Sequence, residues 1–239
     1  QENASELAKR WLNKALYNGL AMFQGNLRNI YIDEGDFENA RRVARTAANL
    51  GNPAMMLYTG LDCHENGNFE DAFTWFTKAA ALGQSESIAE LADYYYHFYD
   101  AKELRSTIPY DPVKAIGLYR RAATKNFSDA GYTALQAAFG YIFHIGHLPL
   151  DWGLIADLTH MAATKERFMF ALPYIGYMRI HGLGVTKNMR FAVQSLLRVL
   201  DEEQRAFEEE NRVLFYDITR ALTRVALGYA YEKGYVTGT

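Results

Sequence analysis

Two histidines three residues apart, His144 and His147, followed four residues later by Asp151, make a compact set of metal-ligating side chains. Imidazole nitrogens and a carboxylate hold zinc when a rigid scaffold supplies a closing ligand, and zinc so held can activate water for hydrolysis. Spacing alone gives neither the closing ligand nor the scaffold, so a metal-dependent hydrolase at His144 and His147 is the least favoured reading. The stretch His144-Ile-Gly-His147 also spells a phosphate-contacting nucleotide signature. That signature works between a strand and a helix beside a glycine fingerprint, and neither pattern surrounds it here. Cys63 and His64 are adjacent, so on a helix they point in different directions and make a poor nucleophile and base. The lone cysteine reads as a small core residue. Glu65, Glu70, Asp71 and Glu90 occupy positions expected at the surface, where nothing raises a carboxyl pKa. No strained Gly-x-Ser-x-Gly turn frames a serine. The expectation is a protein with no catalytic residue, no metal and no cofactor.

Charge and composition narrow the remaining classes. The 239 residues are 49% hydrophobic and 22% charged, enough for a substantial packed core. With 25 basic against 28 acidic residues the net charge is −3, which supplies no positive field for a phosphate backbone, so nucleic acid is disfavoured. The most apolar stretch, Gly131 to Leu150, is broken by Gln136, His144 and His147 and reads as buried helix, not a membrane span.

What must position every one of these side chains is a repeated block. Five caps, Asp36, Asn68, Asp111, Asp151 and Asn188, stand 32, 43, 40 and 37 residues apart, inside the range that marks helical-hairpin arrays. In the block from Asn68, the cap can accept hydrogen bonds from free N–H groups, and Glu70 and Asp71 face the positive end of the dipole. Ala72, Trp75, Phe76 and Ala79 follow at offsets 0, 3, 4 and 7 on one helical face, and Gly83 can take the left-handed conformation that ends the helix. The same offsets recur from Ala40 and Ala115, and in the segment Ala8, Trp11, Leu12 and Ala15. Second helices of hairpins are thus expected near 5–19, 36–51, 68–83, 111–126, 151–166 and 188–203, with a final first helix near 210–234, all in a single domain over 1–239.

These residues resemble the Sel-one-like repeats, relatives of the tetratricopeptide repeats. A unit of that family carries a first helix with L-G-x-x-Y, a loop G-x-G-V-x-x-D and a second helix K-A-x-x-W/Y-F/Y-x-K-A-A-x-x-G. Gly182, Gly184 and Val185 with Asn188 match the loop, Trp75 to Gly83 and Lys114 to Ala123 the second helix, and Leu227, Gly228 and Tyr231 the first. The resemblance implies an all-α right-handed solenoid of about five to six helical hairpins, with first helices lining an inner, concave side. It also implies protein binding: relatives serve as adaptors in endoplasmic-reticulum-associated degradation, activators of cell-wall synthases, and bacterial periplasmic or secreted factors. An extracytoplasmic adaptor, bacterial or luminal, is the direction that resemblance gives. Ala8 to Gly19 is similar to a second helix without its first, and Leu227 to Gly234 to a first without its second. Either the array continues or the last helix is a cap.

On that architecture a peptide or protein partner is expected to meet Met55, Thr59 and Asp62 in one first helix, Glu90, Asp93 and Tyr94 in the next, and Arg179 beside the double-glycine loop. The interval after Asn68 is the longest, and its surplus holds the aromatic run Tyr94, Tyr95, Tyr96, Phe98 and Tyr99. Five aromatics in six positions cannot share one helix face, so some are expected at the surface, with Tyr95 and Tyr99 as contacts. A homo-oligomeric assembly module built on the insert near 94–110 is the alternative reading. The acidic run Asp201-Glu202-Glu203 and Glu208-Glu209-Glu210 reads as a solvated connector.

Overall fold

The computed structural model describes residues 4–18, 20, 23–97, 106–125, 127–164, 168–208 and 217–234. These include twelve α-helices: α1 Ala4–Tyr17, α2 Gln24–Asp33, α3 Phe37–Asn49, α4 Pro53–Glu65, α5 Phe69–Ala81, α6 Ser85–Tyr96, α7 Pro112–Ala123, α8 Ala130–Ile142, α9 Trp152–Ala163, α10 Phe168–His181, α11 Met189–Glu208 and α12 Asp217–Glu232. Among the described residues there is no strand. The chain divides into two compact units, Gln1–Leu118 and Tyr119–Thr239, the division falling inside α7.

The caps explain where most second helices begin. The Asp36 carboxylate accepts from the Asn39 backbone N–H at 3.1 Å, Asp111 from Lys114 at 2.9 Å, Asp151 from Leu154 at 3.0 Å, and the Asn188 amide oxygen from Phe191 at 3.0 Å. Asn68 departs from this: its backbone angles are close to those of Asp36, but its side chain makes no cap bond. The first turn of α5 is left to Glu70 and Asp71, whose charges suit the helix N-terminus. The Asp36 carboxyl is held below its usual pKa by the two hydrogen bonds from Asn39.

Turns after α2, α3, α4 and α5 are short because these helices end in the same hydrogen-bonded glycine motif. At Gly83 (φ +84°) the Gly83 N–H donates to the Ala80 carbonyl and the Gln84 N–H to the Ala79 carbonyl. Gly51 pairs the same way with Ala48 while Asn52 donates to Ala47. The residue after Gly51 and after Gly83 then caps the next helix, since the Asn52 side chain accepts from Ala54 and Met55, and the Gln84 side chain from Ser87.

The buried stripe follows the offsets. Ala40, Val43, Ala44 and Ala47 on α3 are buried, as are Ile155, Leu158, Thr159 and Ala162 on α9 and Ala192, Ser195, Leu196 and Val199 on α11. In α5 and α7 only the second position, Trp75 or Leu118, is half-buried. On α1 the register differs from that expected: Trp11 is 59% exposed, with Lys14 Nζ over its ring at 5.4 Å, and Leu16 is the buried residue. Among the described residues, α2 is the one helix against which α1 packs extensively, so less of its surface is covered. A glycine on each of two first helices admits the large residue at offset 4 of the second helix. A Cβ on Gly60 would stand 2.6 Å from the Phe76 ring, and one on Gly176 would stand 2.8 Å from Leu196 Cγ.

The acidic run is not a connector over its first part. Helix α11 continues through Asp201, Glu202 and Glu203 to Glu208, while residues 209 and 210 lie outside the described set. Among the described residues no helix is long and apolar enough to cross a membrane.

Candidate functional site

The first unit carries a groove of about 510 Å³ walled by α2, α3 and α4, a size within the usual range of ligand clefts. Helix α2 contributes Arg28 and Ile32, one turn apart; α3 contributes Phe37, Glu38, Arg41, Arg42 and Arg45; α4 contributes Tyr58, Thr59, Asp62 and Glu65. The α3 stripe facing the core is nearly all alanine, so its flanking arginines are carried on a thin, closely packed rod. The Arg28 guanidinium lies 3.7 Å from the Tyr58 ring centroid, an arginine-on-aromatic stack that joins α2 to α4. Arg41 reaches Glu38 at 3.6 Å and Asp62 at 3.7 Å and joins α3 to α4. Arg45 Nη2 lies 3.7 Å from the buried Cys63 sulfur. Burial pushes the Cys63 thiol pKa up, with Arg45 offsetting part of the rise, so the sulfur stays a protonated core atom. Phe37, 58% exposed, and Tyr58, 37% exposed, leave apolar surface at the rim.

The residues expected to meet a partner are placed unevenly. Thr59 and Asp62 line this groove. Thr59 is only 3% exposed, and its hydroxyl donates to the Met55 carbonyl at 2.8 Å. Met55, 2% exposed, packs in the core with Leu27, Ala44 and Ala79. Tyr94 is fully buried, its hydroxyl 2.8 Å from His64 Nδ1 and its ring edge-on to Phe76 at 5.5 Å. Met55, Thr59 and Tyr94 are therefore buried side chains, and of the three Thr59 lines the groove. The expectation that part of the aromatic run is exposed fails for Tyr94 and Tyr95, which both turn inward because Phe73 offers each a ring contact. Tyr95 is held further by Lys114, which donates to its hydroxyl at 2.7 Å. Among the described residues of the insert the exposed aromatic is Tyr110, edge-on to His97 at 5.4 Å. Phe98 and Tyr99 lie outside the described residues. Asp93 is buried and Glu90 half-buried on α6, away from the groove. Arg179 belongs to the second unit, with Nη1 donating to the Thr186 carbonyl at 3.4 Å and its guanidinium 5.0 Å from the Phe191 ring.

His144 and His147 are exposed on a turn, both with positive φ, and His144 Nδ1 sits 3.1 Å from the Leu148 carbonyl. Asp151 is engaged as a helix cap. Among the described residues no three His, Cys, Asp or Glu side chains gather to hold a metal ion.

Sequence reasoning on the first helices alone missed Arg28, Phe37, Arg41, Arg42, Arg45 and Tyr58. The legible signal was the run Ala40-Arg-Arg-Val-Ala-Arg45, which puts three guanidiniums on the flanks of an otherwise small-residue helix.

Small-residue helices joined by glycine-capped turns, with a groove between three of them, define an α-helical repeat protein. The chain belongs to the Sel1 repeat family, whose model matches residues 3–20, 44–84, 85–127, 174–194 and 219–238. The structure is similar to a Sel1 repeat protein from Oxalobacter formigenes, at 20% identity and a TM-score of 0.60 over 81% of this chain and 55% of that one. It also matches a protective antigen with an SLR fold from uropathogenic Escherichia coli, at 16% identity and a TM-score of 0.48 over 98% of this chain and 60% of that one. A sel1 repeat protein from Klebsiella pneumoniae matches at 20% identity and a TM-score of 0.45 over 82% and 93% of the two chains. The chain thus spans a little over half the length of the first two. No curated protein matches its sequence significantly. The fold class is accordingly an all-α helical repeat of the Sel1 type.

Proposed function

We propose that the chain is a non-catalytic protein-interaction module that holds a peptide or protein segment in the groove between α2, α3 and α4. The observation that carries this reading is the stacked Arg28–Tyr58 pair at the rim of a groove whose walls include the alanine-rich helix α3. Arginine and tyrosine are the side chains that most often anchor protein interfaces, and a scaffold already ordered loses little entropy on binding. Family membership supports the same reading, since stacked hairpins present extended surface on rigid elements. The second helix α3 contributes as much to this surface as the first helices α2 and α4.

Selection of a random peptide library on the full chain tests the proposal. Peptides that bind should lose about tenfold or more in affinity for a Tyr58→Ala protein, because removing an interface anchor costs about 1–2 kcal/mol or more. A selection that yields no binder, or binders indifferent to Tyr58→Ala and to Arg41→Ala, overturns it.

A further inference from the structure

The groove carries a charge surplus of one sign. Four guanidiniums line it, Arg28, Arg41, Arg42 and Arg45, against three carboxylates, Glu38, Asp62 and Glu65. Two of those carboxylates, Glu38 and Asp62, are both taken by Arg41. Among the described residues no carboxylate lies within ion-pair distance of Arg28, Arg42 or Arg45. The chain as a whole carries a net charge of −3, so this local excess runs against its average. Arg42 and Arg45 are exposed and one turn apart on α3, so their side chains lie on the same flank of the helix. Beside them Phe37 and Tyr58 present exposed ring surface.

We infer that the occupant of this groove is an acidic peptide segment of a partner protein, in which two or more Asp or Glu side chains flank an apolar one. The inference rests on the groove being the binding surface proposed above. Guanidinium forks pair with carboxylates in charge-assisted, bidentate hydrogen bonds, and none of the groove's three carboxylates stands within ion-pair distance of Arg28, Arg42 or Arg45. An apolar side chain of the segment covers the Phe37 and Tyr58 rings. Charge complementarity of this kind selects against basic partners, because a lysine placed beside Arg42 and Arg45 meets like charge.

The test is a random peptide library selected on the full chain, followed by binding of the synthesised winners to Arg42→Gln/Arg45→Gln and Arg42→Lys/Arg45→Lys proteins. The selected pool should be enriched in Asp and Glu. Its members should weaken about tenfold on the glutamine variant, hold on the lysine variant, and weaken between about 50 mM and about 300 mM salt as screening shortens the reach of charge. Both positions are exposed, and circular dichroism checks that each variant keeps its helices. A pool that needs Tyr58 yet is neutral or basic overturns this inference while leaving the groove as a binding surface. A pool indifferent to Tyr58 and to the arginines overturns both. A single-stranded oligonucleotide of equal charge that binds as tightly, with the same dependence on Arg42 and Arg45, also overturns it, since the groove would then attract any polyanion.

Discussion

Gly184 sits directly against the Trp152 backbone, so close that a Cβ at Gly184 would stand 2.0 Å from the Trp152 carbonyl oxygen. The loop between α10 and α11 is thereby seated on the first turn of α9, and it reaches that seat with φ +66° at Gly184. Gly184→Ala must both pay the left-handed penalty and push the loop off a backbone that cannot move aside, a cost of about 2–4 kcal/mol. Gly182→Ala is the control. Its φ is +74°, but its Cβ would meet the flexible Lys187 side chain, so the expected cost is about 1–2 kcal/mol. Urea midpoints of the two variants check the order, and equal midpoints would refute it.

A second pair of glycines separates close packing from simple helix propensity. Phe76 is fully buried and its ring edge stands where a Gly60 Cβ would go, at 2.6 Å. Gly60→Ala should destabilise by about 1–3 kcal/mol despite the better helix propensity of alanine. Gly117 lies in α7, exposed, with nothing near its missing Cβ. Gly117→Ala should stabilise by about 0.5–1 kcal/mol. Opposite signs in thermal or urea unfolding are the expected result, and a stabilising Gly60→Ala would mean that the two helices are less tightly apposed than 2.6 Å implies.

Caps that look alike in sequence should respond differently to mutation. The Asp151 carboxylate accepts from the Leu154 N–H at 3.0 Å, whereas the Asn68 side chain makes no bond to its helix. Asp151→Ala is expected to cost about 1 kcal/mol and Asn68→Ala a few tenths. Amide hydrogen exchange in the first turns of α9 and α5 would localise the effect, and faster exchange in α5 alone would contradict the geometry.

Much of this fold was legible because helices need starts, stops and a buried stripe, and each has a residue signature. Ala40, Val43, Ala44 and Ala47 could be assigned to the interior from spacing alone, and the structure buries all four. Spacing fails where the number of neighbours changes. Trp11 holds the same offset as Val43 yet stays exposed, because an offset states which residues share a face and not whether anything covers it. The aromatic insert misled for a related reason. Tyr94 and Tyr95 are consecutive and point to different sides of α6, but Phe73 lies near both rings, so exposure did not follow from their directions. Gly60 and Gly176 occupy the glycine position of the L-G-x-x-Y pattern in degenerate copies, Thr59-Gly60 and Ile175-Gly176, where the flanking residues conceal it. The groove was the least legible part. Its arginines lie on two adjacent turns of α3 and one turn of α2, and only the packing of α2 beside α4 brings Arg28 onto Tyr58.

His64 gives the clearest pH dependence. Its ring lies between Phe69 and Tyr94, at centroid distances of 5.3 and 5.7 Å, and shares a 2.8 Å hydrogen bond with the Tyr94 hydroxyl through Nδ1. Burial holds its pKa below the ordinary value of 6.5, and the nearby Glu65 charge offsets only part of that. The Tyr94 phenol is pushed far up, again by burial, and stays neutral throughout the range of interest. Below pH 6.5 the unfolded chain therefore takes up a proton that the folded chain refuses. Stability is unaffected by this group at higher pH, falls as the pH drops through 6.5, and levels off once the pH is below the folded value. The carboxyls of Glu34 and Asp36 are held low by hydrogen bonds, so their contribution is lost only as the pH falls below the ordinary carboxylate range. Urea unfolding between about pH 5.5 and about pH 7.5 should show a lower midpoint at the acidic end. A His64→Gln protein, which keeps a polar side chain near Tyr94 but cannot titrate, should show a smaller difference. The same pH dependence in both proteins would mean that another group is responsible.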